Sequence, residues 1–429
     1  MSRWRPALLV LLAASCQGAW GASAATPTVF TNTLSVQAIA HAQGALWVAT
    51  QGGVEEYDAT TLARRRVFTT NDGLPTATIR RLEAEGANLV AIADGKRCAF
   101  AQGKFACVAS APLPAESPQL PEIFAGSRVT ARLTLNGREI LGTAEKGLWL
   151  IGKRPRLLSP RGGLCGNHVM AMAEFGGQIW LGTFDEGLCR FDGDRFVTVP
   201  VPFRMVNDLA ATQDGLYVAT TVGLYRTRDG RRFDRIFLFD TRGINNLAVD
   251  GDTLWATSPA ALWKIPVGRR GIPRGYWQPA GSRSLQAVGV AGGQLWLATE
   301  DRGVLRMTGK TFAIFDRAAG MPSSWVVDVA AESDGGVYAA TLRDGLVHVD
   351  KSGRIHKLGH LLDNWLLHVS QGNQRLWVGT QGGAASLTGE TVTPLPSLPN
   401  PCVHAILETS TALWAATEAG VARYDLPMP

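Results

Sequence analysis

Leu46-Trp47-Val48-Ala49-Thr50-Gln51-Gly52-Gly53-Val54 is a phrase that returns almost to the carboxyl end of the chain. Its echoes are Ile179-Trp180-Leu181-Gly182-Thr183, Leu216-Tyr217-Val218-Ala219-Thr220, Leu295-Trp296-Leu297-Ala298-Thr299, Val337-Tyr338-Ala339-Ala340-Thr341, Leu376-Trp377-Val378-Gly379-Thr380 and Leu413-Trp414-Ala415-Ala416-Thr417. Weaker copies end at Thr143 and Thr257, and a decayed one at Ala93. The ten closing residues are spaced by 43, 50, 40, 37, 37, 42, 42, 39 and 37 residues. A repeat of roughly this period marks a propeller or a solenoid. Each unit alternates apolar and small residues over short runs broken by Gly, Asp and Asn, the mark of strands and turns, and nothing recurs with helical spacing. About forty residues hold four short strands, which is one propeller blade. The expected fold is all-β: a β-propeller of about ten four-stranded blades.

Composition agrees. The 429 residues include 48 Gly for turns and 13 Trp and 15 Phe for cores, and only 18% are charged, so the net charge of +6 falls to loops and sheet edges. A repeat protein grows by adding units, so the length does not demand several domains.

Residues 1–24 read as an export signal and 25–429 as the propeller. Arg3 and Arg5 precede the apolar run Ala7 to Ala14, and Ala22-Ser23-Ala24 offers a small-x-small cleavage site. Leu12-Ala13-Ala14-Ser15-Cys16 is also similar to a bacterial lipoprotein box, which would make Cys16 a lipidated first residue, although Ala13 departs from the usual Leu. The protein is thus expected in the periplasm or outside the cell. No apolar run reaches the roughly 20 residues of a membrane-spanning helix. Export makes disulfides available. Cys98 and Cys107 flank the hairpin tip Ala101-Gln102-Gly103-Lys104 and are expected to pair across two strands; Cys165, Cys189 and Cys402 leave one odd thiol.

Thr28-Val29-Phe30-Thr31-Asn32 matches Arg66-Val67-Phe68-Thr69-Thr70-Asn71, the last strand of the next unit, whereas the last unit stops after its third strand at Val421-Ala422-Arg423-Tyr424-Asp425. The amino-terminal strand is therefore expected to complete the last blade, removing two exposed sheet edges. Two rings of five would need a second closure in a region of regular spacing, and a ring of seven would strand three units. One large ring is the expectation.

Between the markers a second phrase recurs: Asn71-Asp72-Gly73-Leu74-Pro75 before one inner strand, with versions at Gly163-Leu164-Cys165-Gly166-Asn167-His168-Val169, Gly320-Met321-Pro322 and Leu398-Pro399-Asn400-Pro401-Cys402-Val403. Together the phrases resemble the two-component regulator propeller repeat of bacterial sensor proteins, over essentially the whole mature chain. The resemblance implies an extracytoplasmic sensor module. In that family an output domain often follows; none follows Pro429, which puts direct signalling in doubt.

Loops before the inner strands and after the closing threonines should share one face around the channel mouth. The first set offers Asn167, His168, Asn207, Asn245, Trp325, Trp365 and His404, and the second Asp185, Glu186 and Arg343. Polar loops beside aromatics suit a polar ligand with some apolar surface, a sugar or a peptide, or an envelope protein partner. Taken singly, Asp and Glu beside Gly are more often turn formers, and Trp365 has a rival role as a blade cap. The marker tryptophans read as packing. No catalytic motif appears, and adjacent Asp185 and Glu186 would point apart on a strand. The alternative is a propeller lyase or hydrolase acting on a polysaccharide or lactone, with His168 or His404 as acid or base. No cofactor or metal is expected: no C-x-x-C pair exists, and His356, Gly359 and His360 suggest a turn. The basic clusters at Arg64 to Arg66, Arg228 to Arg235 and Arg269 to Arg283 read as solvated edges, and no nucleic-acid partner is expected of an exported protein.

Overall fold

Each repeat unit folds as one antiparallel sheet whose second strand carries the recurrent phrase. The computed structural model describes residues 26–85, 88–109, 122–159, 163–236, 243–268, 272–359 and 361–426. The export signal and Cys16 lie outside these residues, as does His360. Numbered in chain order, the blades are 36–68, 81–109, 123–157, 169–199, 206–236, 246–277, 285–315, 326–358, 366–394 and 403–425. Nine sheets have four strands, and blade 3 carries a fifth, Ile123–Phe124. Thr28–Phe30 is the fourth strand of blade 10, with Val29 opposite Ala422.

The closing threonine explains itself locally. Its hydroxyl donates across the turn to the first carbonyl of the next strand, from Thr50 to Gly53 at 2.8 Å, Thr220 to Gly223 at 2.7 Å and Thr417 to Gly420 at 2.8 Å, and accepts from the turn N–H between them. Buried turns need such partners because no water reaches them. Blade 2 dispenses with the threonine because Ala93 leads into the two-residue hairpin Asp94-Gly95, both at positive φ, which closes without a side chain. The residue before the threonine is small for a different reason. A Cβ on Gly182 would lie 2.3 Å from Cγ1 of Val206 in the next blade, so only a small residue lets the sheets meet. The marker tryptophans Trp47, Trp180, Trp255, Trp296, Trp377 and Trp414 are all buried.

Apolar cores between sheets give the blade order. Blades 4 and 5, 5 and 6, 6 and 7, 7 and 8, 8 and 9, and 9 and 10 each share one. Blade 10 shares another with blade 4, through Trp414 and Val421 against Ile179, Leu181 and Phe191. Seven sheets thus pack in a cycle. Blades 1, 2 and 3 form a separate row with blade 1 in the middle, sharing one core with blade 2 and one with blade 3. This corrects the expected ring of ten. Three blades need not close to be stable, because a row of three already buries two inter-sheet cores. Backbone bonds anchor the row, from Gly147 to Leu34 and from Ala77 to Pro399, both 2.8 Å.

Cys98 and Cys107 are bonded across neighbouring strands, and Cys165, in the loop before blade 4, is bonded to Cys189 of that blade; Cys402 is free. Two of the basic clusters are paired locally, Arg65 with Glu56 and Asp58, and Arg228 with Asp214, while Arg269 and Arg270 of the third lie outside the described residues.

Phe30 of the amino-terminal strand meets Phe191, Phe196 and Trp414 at centroid distances of 5.4, 5.1 and 5.9 Å, inside the core shared by blades 4 and 10. Phe30→Ala should lower unfolding stability by about 3 kcal/mol, measured by urea denaturation. A loss below about 1 kcal/mol would mean that the strand contributes little to this junction.

Candidate functional site

The inner strands of blades 4 to 10 surround one channel of about 610 Å³, lined by residues from all seven. Several of these strands carry a bulge just after their first residue, between Val206 and Asp208, Val326 and Asp328, Leu366 and His368, and Val403 and Ala405. Around it consecutive side chains, such as Asn207 with Asp208, both line the channel. Much of the polar lining ties blade to blade. Asp208 accepts from Leu247 N–H at 2.8 Å and Asn246 Nδ2 at 2.9 Å, and Asp328 accepts from Val369 N–H at 3.0 Å. Asn246 Oδ1 in turn accepts from Val288 N–H at 2.9 Å. His368 Nδ1 lies 2.9 Å from Asp328.

Burial pushes the Asp208 carboxyl up to about 7, with the Asp328 charge adding to it, against the N–H bonds from Leu247 and Leu209 and the nearby His368. The fold thus favours its protonated form. That contribution is fully present below the ordinary value of 3.8 and is lost as pH rises through about 7. Asp208→Asn removes the titrating carboxyl, so its stability relative to wild type should rise between pH 4 and pH 8, by no more than about 4 kcal/mol. Urea titrations at both pH values check this; equal gaps at the two would remove the titration as the cause.

The two loop sets meet on one face, as the sequence implied. The residue after a closing threonine donates its N–H to the residue before the inner strand: Phe184 to His168 at 2.9 Å, Leu342 to Trp325 at 3.2 Å, Gln381 to Trp365 at 3.0 Å and Glu418 to Cys402 at 3.3 Å. Trp325 is 42% exposed. Trp365 is half-buried, with the Arg343 guanidinium 4.5 Å above its ring, so one of its faces is already covered. Asp185 and Glu186 sit beside Arg204, which reaches the Asp185 carbonyl at 2.7 Å and Glu186 Oε1 at 3.3 Å. Burial and the neighbouring Asp185 hold the Glu186 carboxyl above its usual range.

The three asparagines are brackets. Asn207 Nδ2 donates to Ile244 O at 2.7 Å and Asn245 Nδ2 to Leu285 O at 2.6 Å, each across to the next blade. Asn167 holds the junction of blades 10, 4 and 1: its Oδ1 accepts from Asn32 N–H at 2.5 Å, its Nδ2 donates to Asn32 O at 2.8 Å and Gln51 O at 3.1 Å, and its carbonyl accepts from Gly420 at 2.8 Å. Asn167→Ala should therefore cost about 1–3 kcal/mol and speed amide exchange at Asn32. Hydrogen-exchange mass spectrometry of the 26–36 segment is the check, and unchanged protection there would rule out the bracket.

His168 and His404 come together where blade 10 meets blade 4, with ring centroids 5.0 Å apart. Glu418, which the sequence reading did not single out, completes a group whose donor atoms all lie within 4.8 Å of one another. Phe184 stacks on His168 at 4.9 Å, and Cys402 Sγ lies 3.2 Å from Glu418 Oε1. Burial lowers His168, opposed by Glu418 and Asp185. Burial and the His168 charge take His404 down to about 4. The repeat does carry the signal in retrospect, since His168 and Cys402 occupy the same position of their units.

Cyclic packing, inner strands around a channel and a completing amino-terminal strand decide the architecture. The fold is a β-propeller with three added blades. Similar solved structures include the extracellular domain assigned to the hybrid two-component system BT3049 of B. thetaiotaomicron, with 14% identity, a TM-score of 0.55 and 91% of this chain covered. PorZ, a surface component of the type-IX secretion system of Porphyromonas gingivalis, has 14% identity, a TM-score of 0.53 and the same coverage. The chain spans 56% and 62% of those two structures. The WD40 propeller domain of Doa1 has 10% identity and a TM-score of 0.52, and is matched over 93% of its length by 61% of this chain. No protein-family model and no curated protein sequence matches the chain significantly. Among the described residues no helix is long and apolar enough to cross a membrane.

Proposed function

We propose that this protein is an exported recognition propeller of the cell envelope, holding a sugar, a peptide or a protein partner on the face where the paired loops meet. One observation carries the reading: exposed Trp325 and half-buried Trp365 flank a single turn, residues 342–344, whose Arg343 lies over the Trp365 ring. An exposed indole next to a guanidinium held over a second indole offers stacking and hydrogen bonding to one ligand. Export is supported by the leader-like residues 1–24 and by two disulfides, which persist in oxidising compartments. The sensor reading is supported by the repeat phrases that resemble the two-component regulator propeller, and a scaffold role by the similarity to a secretion-system surface component. The bracketing asparagines shape this face rather than reach for a ligand with their amide nitrogens.

Thermal-shift screening against cell-wall glycans and peptides should find a ligand, and Trp325→Ala should weaken it about two- to tenfold while leaving the melting temperature nearly unchanged. A ligand held equally well by the variant would place recognition elsewhere.

A further inference from the structure

His168, His404, Glu418 and Cys402 form a cluster that neither the proposed ligand face nor the blade cores require. They come from both sides of the junction of blades 10 and 4. His168 immediately precedes the inner strand of blade 4. Cys402 precedes, and His404 lies within, the inner strand of blade 10. Glu418 follows the closing threonine of the same blade.

The donors of His168, His404 and Glu418 lie within 4.8 Å of one another, and the Cys402 thiol lies beside those of His404 and Glu418. His404 Nε2 lies 3.6 Å from Glu418 Oε1 and 3.7 Å from Cys402 Sγ, and Cys402 Sγ lies 3.2 Å from Glu418 Oε1. Tetrahedral zinc, with bonds of about 2.0–2.3 Å, sets neighbouring donors about 3.3–3.6 Å apart. The His168 ring nitrogen Nε2 is enclosed and has no hydrogen-bond partner among the described residues. Two imidazoles from opposite sides of the junction thus meet a thiol and a half-exposed carboxylate whose side chain can swing to close the shell.

We infer that His168, His404, Glu418 and Cys402 form a tetrahedral site for a divalent transition metal, zinc by the softness of its donors, that staples blade 10 to blade 4. Two imidazoles and a thiolate favour zinc or cobalt over calcium or magnesium, which take oxygen shells. Binding releases the Cys402 proton to solvent and changes no oxidation state. All four ligands then lie across a junction that otherwise rests on the Phe30 core and the Asn167 bracket, so metal occupancy stabilises the cycle where the chain enters and leaves it. The inference is independent of the ligand reading, which concerns blades 8 and 9.

The test uses the whole mature chain, stripped with EDTA and titrated with Zn²⁺ by calorimetry and with Co²⁺ by absorbance. The expected result is one equivalent bound, a thiolate-to-cobalt charge-transfer band, and a higher melting temperature with zinc. His404→Ala and Glu418→Gln should each weaken zinc binding at least tenfold, and Cys402→Ser should remove the band. Glu418→Gln alters a half-exposed side chain, so its circular dichroism and its melting temperature in EDTA should equal those of wild type even if His404→Ala perturbs folding. Absence of saturable zinc binding, or binding that survives both His404→Ala and Glu418→Gln, overturns the site. Cobalt binding without the thiolate band overturns the four-ligand assignment.

Discussion

How closely two sheets approach along the inner part of each blade is the constraint on which the molecule depends. At the residue before the closing threonine the neighbouring inner strand arrives within contact of the backbone: Gly182 faces Val206, Gly142 faces Val36 and Gly379 faces the carbonyl of Val403. A larger side chain there would hold the sheets apart and open the apolar layer of Leu, Val and Trp between them. Close packing makes such gaps costly, since a void forfeits the contacts on both walls. The hydroxyl of the following threonine closes the turn, and the small residue and the hydroxyl together fix both the shape of each sheet and its distance from the next.

From that spacing follows the channel. Seven inner strands brought together turn polar groups toward one another, and Asp208, Asn246 and Asp328 use those groups to catch N–H donors of the adjacent blade. Burying carboxyls this way has an electrostatic consequence, visible in the raised Asp208, because desolvation penalises a charge even when it accepts several hydrogen bonds. The channel lining is accordingly a structural fabric as much as a binding surface. Groups still offered outward lie at the rim, around the 342–344 turn and at the junction of blades 10 and 4.

That junction concentrates more than any other part of the cycle. It joins the two ends of the seven-blade segment, receives the amino-terminal strand, and anchors the three-blade row through Asn167, Asn32 and Gln51. Every other neighbouring pair of blades in the cycle is joined by a short covalent connection. Blades 10 and 4 are not, so noncovalent devices accumulate there: an aromatic cluster, an amide bracket and a constellation of imidazole, carboxylate and thiol.

The sequence by itself determined the all-β class, ten sheets, the burial of the marker tryptophans, the exchange of Thr28–Phe30 into the last sheet and the shared face of the two loop sets. Each of these is local or periodic: alternation sets a strand, Gly and Thr set a turn, and one unit repeats the rules of the last. It also placed Cys98 opposite Cys107, since a hairpin tip fixes what faces what. Only the tertiary structure decided which sheets are neighbours. Identical units carry no address for their partners, so nothing in the spacing distinguished a cycle of ten from a cycle of seven beside a row of three. For the same reason the sequence left His168 and His404 as two separate loop residues and passed over Glu418; they become one site because blade 10 packs against blade 4, and that choice rests on the summed fit of apolar faces rather than on any single residue.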